Sequence, residues 1–538
     1  MSGVGKGITA SSIGYILKLR GYLVTAMKID PYVNVDAGTM NPTEHGEVFV
    51  LADGMECDQD MGNYERFLDC NLTRTNYMTT GSVYLSVINK ERNLGYKGKF
   101  VSVVPHIPLE VISKIDAAMK ENKADITIIE IGGTVGEYEN ILFLEAVKML
   151  KIRHPEDVVL VLVSFLPAVG ASNELKTKPT QHAVRALNSA GLHPDIIIAR
   201  AKVPLDKKRR EKLAFHCSLR ENDVVSAPDV ETIYEVPLNF EKDKMGENIL
   251  KKLHLRPKQQ EMEEWRNFVK RIKEATREVK IGIVGKYFGT GDFTLSDAYI
   301  SVIEAVKHAA YFHKRKLELV WLDAEDYEET KTETYTENLK KLLDYDGIVV
   351  PGGFGSRGVD GIMNAIQFVR ENKIPYFGLC YGLQLAVVEF ARNKAHLKGA
   401  HTTEVNKETK FPVIDVMENQ KKNIAESQLG GTMRLGSYPA VLLKGTIAYE
   451  AYNTDTIFER HRHRYEVNPV YIDKLKEEGM IFSGKSPDGK LMEIAELSKE
   501  IHPFFLGTQF HPELQSRPLH SHPLFAAFIK AACERSKK

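Results

Sequence analysis

The sequence has few cysteines and no excess of charge of either sign. Its five cysteines are Cys57, Cys70, Cys217, Cys380 and Cys533. Their odd number and lack of paired spacing indicate a reducing compartment and argue against a disulfide framework or a cysteine zinc site. Lys and Arg together number 72, as do Asp and Glu, so no overall field attracts nucleic acid or a membrane surface. Any anionic ligand must therefore be bound by local groups.

Long apolar runs and targeting segments are missing as well. No apolar run approaches the ~20 residues that span a bilayer, and the first residues lack the basic-then-apolar order of a signal peptide. Hydrophobic residues at 43% and charged residues at 27% are typical of a soluble globular protein. These features predict a cytoplasmic enzyme that binds neither nucleic acid nor membrane.

The chain of 538 residues is long enough for two to four domains. In the first half, β-branched runs of strand length alternate with helical patterns, which is typical of a parallel, doubly wound sheet. A charge-dense segment then indicates a linker helix, and a second strand–helix pattern begins at Ile281. The sequence predicts an α/β protein with two doubly wound, mostly parallel-sheet domains. We expect them at residues 1–255 and 281–538, joined by a linker helix at 256–280.

The second half contains a cysteine between two glycines, at the point where an apolar strand pattern turns into a helical one. Gly378 and Gly382 lie two residues either side of Cys380, as in a nucleophile elbow, where the backbone is crowded. A sulfur at a helix N-terminus is stabilised as the reactive thiolate. The alternative is a buried structural cysteine before a helix.

Two further elements lie on either side of this cysteine. His511 and Glu513 are two residues apart, so in an extended segment their side chains face the same way. A histidine can deprotonate the thiol and a carboxylate can orient the histidine. The Gly352–Gly353 loop after a strand can expose N–H groups to an oxyanion. A structural histidine and a tight turn are the alternatives. Together the three elements resemble a class I, triad-type glutamine amidotransferase.

The first half contains candidate phosphate and metal groups. Residues 2–7 (SGVGKG) precede a helical pattern, so backbone N–H groups and Lys6 can approach a phosphate, although no Ser or Thr follows the lysine as in a full P-loop. Asp60 and Glu130 are hard oxygen ligands suited to Mg²⁺. The string KTKPTQ at 176–181 offers charge and hydrogen bonds to a nucleotide. A glycine-rich helix start, solvated carboxylates and a polar helix cap are the respective alternatives.

Longer strings make the resemblance specific. KIDPYVNVDAGTMNPTEHGEVFVLADG, EIGGTVG, KTKPTQ, LGGTMRLG and ERHRHRYEVN, with the amidotransferase elements, resemble the CTP synthase family over nearly the whole chain. The resemblance implies a P-loop-like synthetase domain that uses ATP and Mg²⁺ to phosphorylate UTP at O4. It also implies a glutaminase domain that supplies ammonia internally. A ligase with a different acceptor is disfavoured by KTKPTQ and EIGGTVG.

The resemblance also implies roles for individual residues. In the glutaminase half, Cys380 attacks the glutamine carboxamide, His511 is the base and Glu513 orients it. The glutamine contacts implied there are Gly352, Leu379, Tyr381, Gly382, Leu383, Gln384, Glu404 and Arg464. The ATP contacts implied are Gly3, Val4, Gly5, Lys6, Gly7, Ile8, Lys28, Asp60, Asp229 and Val230, with Asp60 and Glu130 as metal ligands. The UTP and CTP contacts implied are Ser2, Glu137, Tyr138, Glu139, Lys176, Thr177, Lys178, Pro179, Thr180, Gln181 and Lys212.

Regulation and assembly are implied in the same way. The resemblance predicts activation by GTP, with Arg357 as a candidate contact, and inhibition by CTP. It predicts a homotetramer and filaments. The basic run at 460–464 could indicate nucleic acid or metal binding, but its flanking Glu459 and Glu466 favour a place near the glutamine site.

The sequence departs from the family pattern at several places, and two of these departures bear most on the expected function. Family members have a strand and a Thr-Gly-Gly turn before the residue that matches Ser2, and this sequence starts after them. We expect either a misassigned start or an impaired synthetase half, and in the second case a binding or assembly protein. Residues 137–139 (EYE) replace an Asp-Ile-Glu pattern at the CTP feedback site, so the strength of inhibition is open.

Overall fold

The computed structural model describes residues 3–169, 174–259, 262–286, 289–290, 293–294, 296–330, 334–417, 420 and 430–536. Its contacts divide the chain into two compact units. The first unit comprises residues 1–37 and 60–269, and the second comprises residues 38–59 and 270–538. The short segment 38–59 therefore folds with the C-terminal half of the chain, although it lies within the N-terminal half of the sequence.

The first unit contains two three-stranded parallel sheets. Their strand orders are Tyr77–Thr79, Val24–Asp30, Ile126–Ile131 and Val224–Pro228, Ile196–Ala201, Val161–Phe165. A short antiparallel pair joins Ala168–Val169 to Glu174–Leu175. In the first sheet Lys28 is directly opposite Glu130, so their side chains project from the same face of the sheet.

Helices cover these sheets because their apolar residues recur at helical spacing. The α-helices of the first unit are Lys6–Leu19, Asp60–Leu68, Thr80–Arg92, Val103–Glu121, Ile141–Arg153, Lys178–Ser189, Lys207–His216, Val236–Lys242 and Met245–Lys252. Short 3₁₀ helices are Arg74–Asn76, Glu221–Asp223 and Ile233–Glu235. In the helix Lys6–Leu19, Ile13, Ile16 and Leu17 pack against strand residues Ile196 and Ile198, which fixes the helix that follows the glycine-rich loop.

The segment expected to link the domains contains one helix, Glu263–Glu274. Trp265 is fully buried, its indole N–H donates to the carbonyl of Tyr234 at 2.8 Å, and its ring lies 4.2 Å from that of Tyr15. The first half of this helix is therefore part of the core of the first unit, whose boundary falls at Val269.

The second unit is built on a nine-stranded mixed sheet. Its order is Lys316–Asp323, Glu278–Gly285, Gly347–Val350, Tyr376–Leu379, Phe505–Thr508, Met492–Glu496, Ile481–Lys485, Arg434–Leu442 and Thr456–His463. The first five strands are parallel and the remaining pairings are antiparallel. Smaller sheets join Ala400–Thr402, Phe411–Val416, Tyr465–Val467, then Val48–Val50 with Glu56–Asp58, and Gly289–Thr290 with Phe293–Thr294.

Helices lie on both faces of this sheet. The α-helices are Pro42–His45, Ile300–Phe312, Tyr335–Lys341, Val359–Glu371, Tyr381–Asn393, Ile447–Tyr452, Ile472–Glu477 and Pro523–Arg535, with 3₁₀ helices at Ser296–Tyr299, Ala324–Tyr327, Leu342–Asp344, Pro469–Tyr471 and Pro512–Gln515. Ile348 and Tyr376 belong to the core on one face, whereas their chain neighbours Val349 and Phe377 belong to the other. Alternate strand residues thus bury both faces. The predicted α/β fold class is confirmed.

Candidate functional site

Cys380 lies on a sharp turn between the strand Tyr376–Leu379 and the helix Tyr381–Asn393. Its φ of 49° is in the left-handed region that side chains rarely adopt. The turn depends on the flanking glycines, because a Cβ at Gly378 would meet the Tyr376 hydroxyl at 2.5 Å and one at Gly382 would meet the Val350 carbonyl at 2.3 Å. The two glycines predicted to allow a crowded elbow thus lie where the structure has no room for a Cβ.

His511 and Glu513 form the second part of this site. Nδ1 of His511 is 2.7 Å from a carboxylate oxygen of Glu513, and both side chains are almost fully buried. Burial alone would lower the pKa of His511, but Glu513 and the Cys380 thiolate raise it well above its ordinary value. Within the described part of the chain, Nε2 of His511 has no hydrogen-bond partner of good geometry. Because interaction with Cys380 is among the causes of the raised pKa, the ring faces the sulfur and can exchange a proton with it.

The glycine loop after the strand Gly347–Val350 approaches the same point. A Cβ at Gly352 would lie 2.9 Å from Cε1 of His511 and 3.9 Å from Cβ of Cys380. Three residues of this unit hold the loop at Gly355. The Gly355 carbonyl accepts from Lys286 Nζ and the Tyr381 hydroxyl, both at 2.8 Å, and its N–H donates to Glu404 at 2.8 Å.

A cleft of about 90 Å³ opens at these groups. It is lined by Pro42, Glu47, Val48, Ala298, Tyr299, Val302, Gly352, Gly353, Phe354, Cys380, Arg462, His511, Glu513 and Leu514. Sequence reasoning missed the wall from the segment 38–59, because nothing local shows that this segment folds with the second unit. Arg462 belongs to the basic run at 460–464. It pairs at 2.8 Å with the buried Glu56 of the segment 38–59, so one positive charge of the basic run is neutralised within this unit.

Several residues expected to bind glutamine have side chains that are buried in the cores or hydrogen-bonded to other residues of the unit. The side chains of Leu379 and Leu383 are in the hydrophobic cores. Gln384 donates to the Tyr465 carbonyl at 3.0 Å and to Gln509 at 3.3 Å. Arg464 donates to Gln420 and Thr432 at 2.7 and 3.0 Å. Any contact of the two leucines with glutamine would therefore have to use their backbone.

The first unit brings Lys28, Asp60 and Glu130 together beside the glycine-rich loop. Lys28 Nζ contacts a carboxylate oxygen of Asp60 and lies 3.1 Å from Oε1 of Glu130. A Cβ on Gly7 would lie 1.9 Å from Oδ1 of Asp60, so glycine is required where the loop enters the helix. Gly5 has a φ of 89°, which also suits glycine. Of the predicted ATP and metal residues, Gly7, Lys28, Asp60 and Glu130 thus form one cluster.

Burial and the neighbouring charges shift the pKa values of the two carboxyl groups in this cluster. Burial acts to raise the pKa of Asp60, but Lys28 holds it below its ordinary value. Burial raises the pKa of Glu130, with Lys28 opposing and Asp60 adding to the rise. Among the described residues no group of three or more His, Cys, Asp or Glu is arranged to hold a metal ion. Two carboxylates nevertheless fit Mg²⁺, which completes its coordination with phosphate oxygens and water.

The remaining expected nucleotide residues lie on several elements of the first unit. Residues 178–181 begin the helix Lys178–Ser189, where Thr180 is buried against Ser164 at 2.9 Å. Lys176 and Lys212 are exposed. Glu137 accepts the Thr134 N–H at 2.7 Å, and Tyr138 is 93% exposed.

The expected adenine-side residues lie near the glycine-rich loop. Asp229 pairs at 2.7 Å with Arg200, whose Nε is 3.8 Å from a Cβ built on Gly5. Val230 follows Asp229 directly and is partly buried. Ser2 lies outside the described residues. Over the part of the chain that the structure describes, no helix is long and apolar enough to cross a membrane.

Comparisons with known proteins extend over the whole chain. The family model described as CTP synthase N-terminus matches residues 1–255, and that described as glutamine amidotransferase class-I matches residues 294–531. The CTP synthase of Methanocaldococcus jannaschii is 50% identical over 533 residues, covering 99% of this chain and 96% of the relative. That of Caldanaerobacter subterraneus is 49% identical over 532 residues, with the same two coverages.

A solved structure, the glutaminase domain of Trypanosoma brucei CTPS with bound acivicin, is 35% identical with a TM-score of 0.43, and the match covers 48% of this chain and 94% of that one. The resemblance predicted from the sequence strings is confirmed. This chain belongs to the CTP synthase family.

Proposed function

We propose that this protein converts UTP to CTP, with ATP as the energy source and glutamine as the source of nitrogen. The observation that carries the proposal is the placement of Cys380 at a strained elbow beside His511, which is itself oriented by Glu513 at 2.7 Å. The same chain has a glycine-rich loop with Lys28 and two carboxylates. Together these sites provide for ammonia release and for phosphoryl transfer.

The glutaminase step follows from the geometry of the second unit. His511 takes the thiol proton, and the sulfur attacks the carboxamide carbon of glutamine. Backbone N–H groups of the Gly352–Gly353 loop stabilise the oxyanion. The protonated imidazole then gives its proton to the leaving nitrogen, so ammonia departs and a thioester remains for water to hydrolyse. Glu513 stabilises the imidazolium throughout, as its effect on the pKa of His511 indicates.

The synthetase step follows from the cluster in the first unit. Backbone N–H groups at the start of the helix Lys6–Leu19 and the ammonium of Lys28 would bind the phosphates of ATP. Asp60 and Glu130 would hold Mg²⁺, which supplies charge neutralisation of the phosphates when it is bound. KTKPTQ and Lys212 would orient the pyrimidine nucleotide, so that O4 of UTP receives the phosphoryl group that ammonia later displaces.

Regulation, assembly and location complete the proposal. Arg357, which is half-exposed and 2.9 Å from Glu325, is the candidate contact for GTP as an activator, and residues 137–139 are candidates for inhibition by CTP. Exposed apolar side chains at Leu85, Ile88, Phe100 and Val103 offer a surface for a homotetramer and, by further contacts, filaments. The free thiols of all five cysteines fit the cytoplasm.

The alternative, a binding or assembly protein with an impaired synthetase half, is not favoured. The Lys28, Asp60 and Glu130 cluster is assembled, and similarity to CTP synthases covers 99% of the chain.

The test is CTP formation from UTP, ATP, Mg²⁺ and either glutamine or ammonia, with the wild type and Cys380→Ala. We expect Cys380→Ala to lose glutamine-dependent synthesis and to keep ammonia-dependent synthesis. No CTP from either nitrogen source in the wild type would contradict the proposal.

A further inference from the structure

Gln509 occupies a position beside the sulfur of Cys380 that the triad does not account for. It directly follows the strand Phe505–Thr508 and is fully buried. Its side-chain nitrogen Nε2 lies 3.6 Å from Sγ of Cys380, in donor geometry. Its backbone N–H donates to the Glu493 carbonyl at 2.8 Å, so the main chain holds the side chain in this place.

A second glutamine sets the orientation of this amide. Nε2 of Gln384 donates to Oε1 of Gln509 at 3.3 Å and to the carbonyl of Tyr465 at 3.0 Å. An amide has its donor and its acceptor on opposite sides. Because the oxygen of Gln509 accepts from Gln384, its NH₂ group is directed at the sulfur. Both glutamines are buried, so this arrangement is shielded from competing water.

A backbone carbonyl near the sulfur has the opposite polarity. The carbonyl oxygen of Arg462 is 3.9 Å from Sγ, and a carbonyl can accept from a thiol but cannot stabilise a thiolate. When the proton moves from Sγ to Nε2 of His511, the electron pair stays on sulfur and needs a donor. A hydrogen bond to an ionised acceptor is about twice as strong as one between neutral groups.

We propose that Gln509 is a catalytic residue of the glutaminase reaction, donating its side-chain N–H to the Cys380 thiolate, and that Gln384 is a positioning residue that orients it. The proposal rests on the role of Cys380 as nucleophile. It adds a donor that acts on the ground-state thiolate, separate from the loop donors that act on the oxyanion.

The experiment measures the pH dependence of Cys380 alkylation by iodoacetamide in the full-length protein, read by mass spectrometry of the Cys380 peptide. Cys70, which is partly exposed, serves as the internal reference, because Cys57, Cys217 and Cys533 are buried. We expect Gln509→Met to raise the pH midpoint of alkylation by about one pH unit, since one hydrogen bond to the thiolate is lost. Glutamine-dependent kcat/KM should fall about tenfold, whereas ammonia-dependent CTP synthesis is retained.

Two further variants keep the result interpretable. Gln384→Met should raise the pH midpoint of Cys380 alkylation less than Gln509→Met, because the amide of Gln509 stays in place but is no longer oriented by Gln384. If Gln509→Met does not fold, the result for Gln384→Met tests the proposal. Thr508→Val is the matched control: its hydroxyl donates to the Phe510 carbonyl at 2.9 Å, so its loss perturbs the same strand without touching the sulfur.

An unchanged midpoint in both glutamine variants would overturn the proposal, as would an equal shift in Thr508→Val. Failure of the underlying glutaminase assignment looks different: Cys380→Ala would then keep glutamine-dependent activity, and wild-type Cys380 would be no more reactive than Cys70.

Discussion

The backbone N–H of Gly355 donates to the carboxylate of Glu404 at 2.8 Å. The same residue has a φ of 75° and accepts two hydrogen bonds at its carbonyl, from Lys286 and Tyr381. Glu404 and Tyr381 were expected to contact glutamine, yet here they bind the loop that carries Gly352. The shape of the loop that carries Gly352 and Gly353 therefore depends on side chains from three separate segments.

Lys286→Met should reduce glutamine-dependent CTP synthesis about tenfold, because the Gly355 carbonyl loses a charged donor. Ammonia-dependent synthesis should be unchanged, since the synthetase cluster is in the other unit. Steady-state assays with each nitrogen source provide the measurement. Lys280→Met is the control: Lys280 is on the strand Glu278–Gly285, which Lys286 directly follows, but it pairs at the surface with Glu318. An equal loss with ammonia would argue for general misfolding.

The same lysine predicts a pH effect. Burial lowers the pKa of Lys286 to about 8, with Glu404 opposing and Arg357 adding to the effect. The charged donor is therefore present below pH ~8 and lost above it. We expect the wild-type glutaminase rate to include a decline centred near that pH that is absent in Lys286→Met. Identical pH profiles for the two proteins would refute this.

Glu513→Gln should lower glutaminase kcat by about 10⁴-fold, the loss seen when the orienting carboxylate of a serine-protease triad is neutralised. Glu513 helps to raise the pKa of His511, so its removal lowers that pKa. The imidazolium of His511 then loses its proton at lower pH, so the alkaline limb of the kcat/KM profile shifts to lower pH. Glu459→Gln is the control, because it removes a similar buried pair with His522 away from Cys380. An alkaline limb that stays in place would contradict this role of Glu513.

Gly7→Ala should abolish CTP synthesis from both glutamine and ammonia while leaving glutamine hydrolysis measurable. The added Cβ would lie 1.9 Å from Oδ1 of Asp60 and must displace that carboxylate from Lys28. Gly14→Ala, in the same helix, meets the flexible end of Leu68 at 3.1 Å and Ile128 and Val24 at ordinary van der Waals distances, so it should remain active. Full activity of Gly7→Ala would show that Asp60 is not needed where the structure places it.

A buried network in the second unit predicts opposite effects of two substitutions on stability. Arg434 binds Glu493 at 2.8 Å and Glu466 at 3.3 Å. Burial and Glu493 raise the pKa of Glu466 well above its ordinary value. A carboxyl with a raised folded-state pKa costs stability as pH rises above about 4.5, where it ionises in the unfolded chain.

Glu466→Gln should therefore raise the thermal midpoint at pH 8, with the gain shrinking towards pH 5. Arg434→Met removes the cationic partner of two buried carboxylates and should lower the free energy of unfolding by about 3–5 kcal/mol. Calorimetry at both pH values measures the two changes. A thermal midpoint of Glu466→Gln that lies below that of the wild type, by an amount that grows with pH, would contradict this prediction.

Local patterns allowed much of the fold to be predicted. The strands 24–30 and 126–131 are short β-branched runs, and helices such as Lys178–Ser189 show clear periodicity. The antiparallel half of the large sheet was not predicted, because Arg434–Leu442 begins with a buried arginine and Thr456–His463 ends in a run of charged residues and histidines at 459–463 instead of apolar residues. Those charges are paired only by distant partners, such as Glu493 for Arg434.

The sequence by itself determined the α/β class, the family, the elbow at Cys380 and the His511–Glu513 pair, because each depends on residues close together in the chain. Tertiary structure alone decided which distant groups meet: Gln509 at the sulfur, Lys28 opposite Glu130 through strand register, and the segment 38–59 within the second unit. Helical and strand periods specify how a segment buries one face. They contain no information about which distant segment covers that face, since that choice depends on sheet order and on packing across the whole domain.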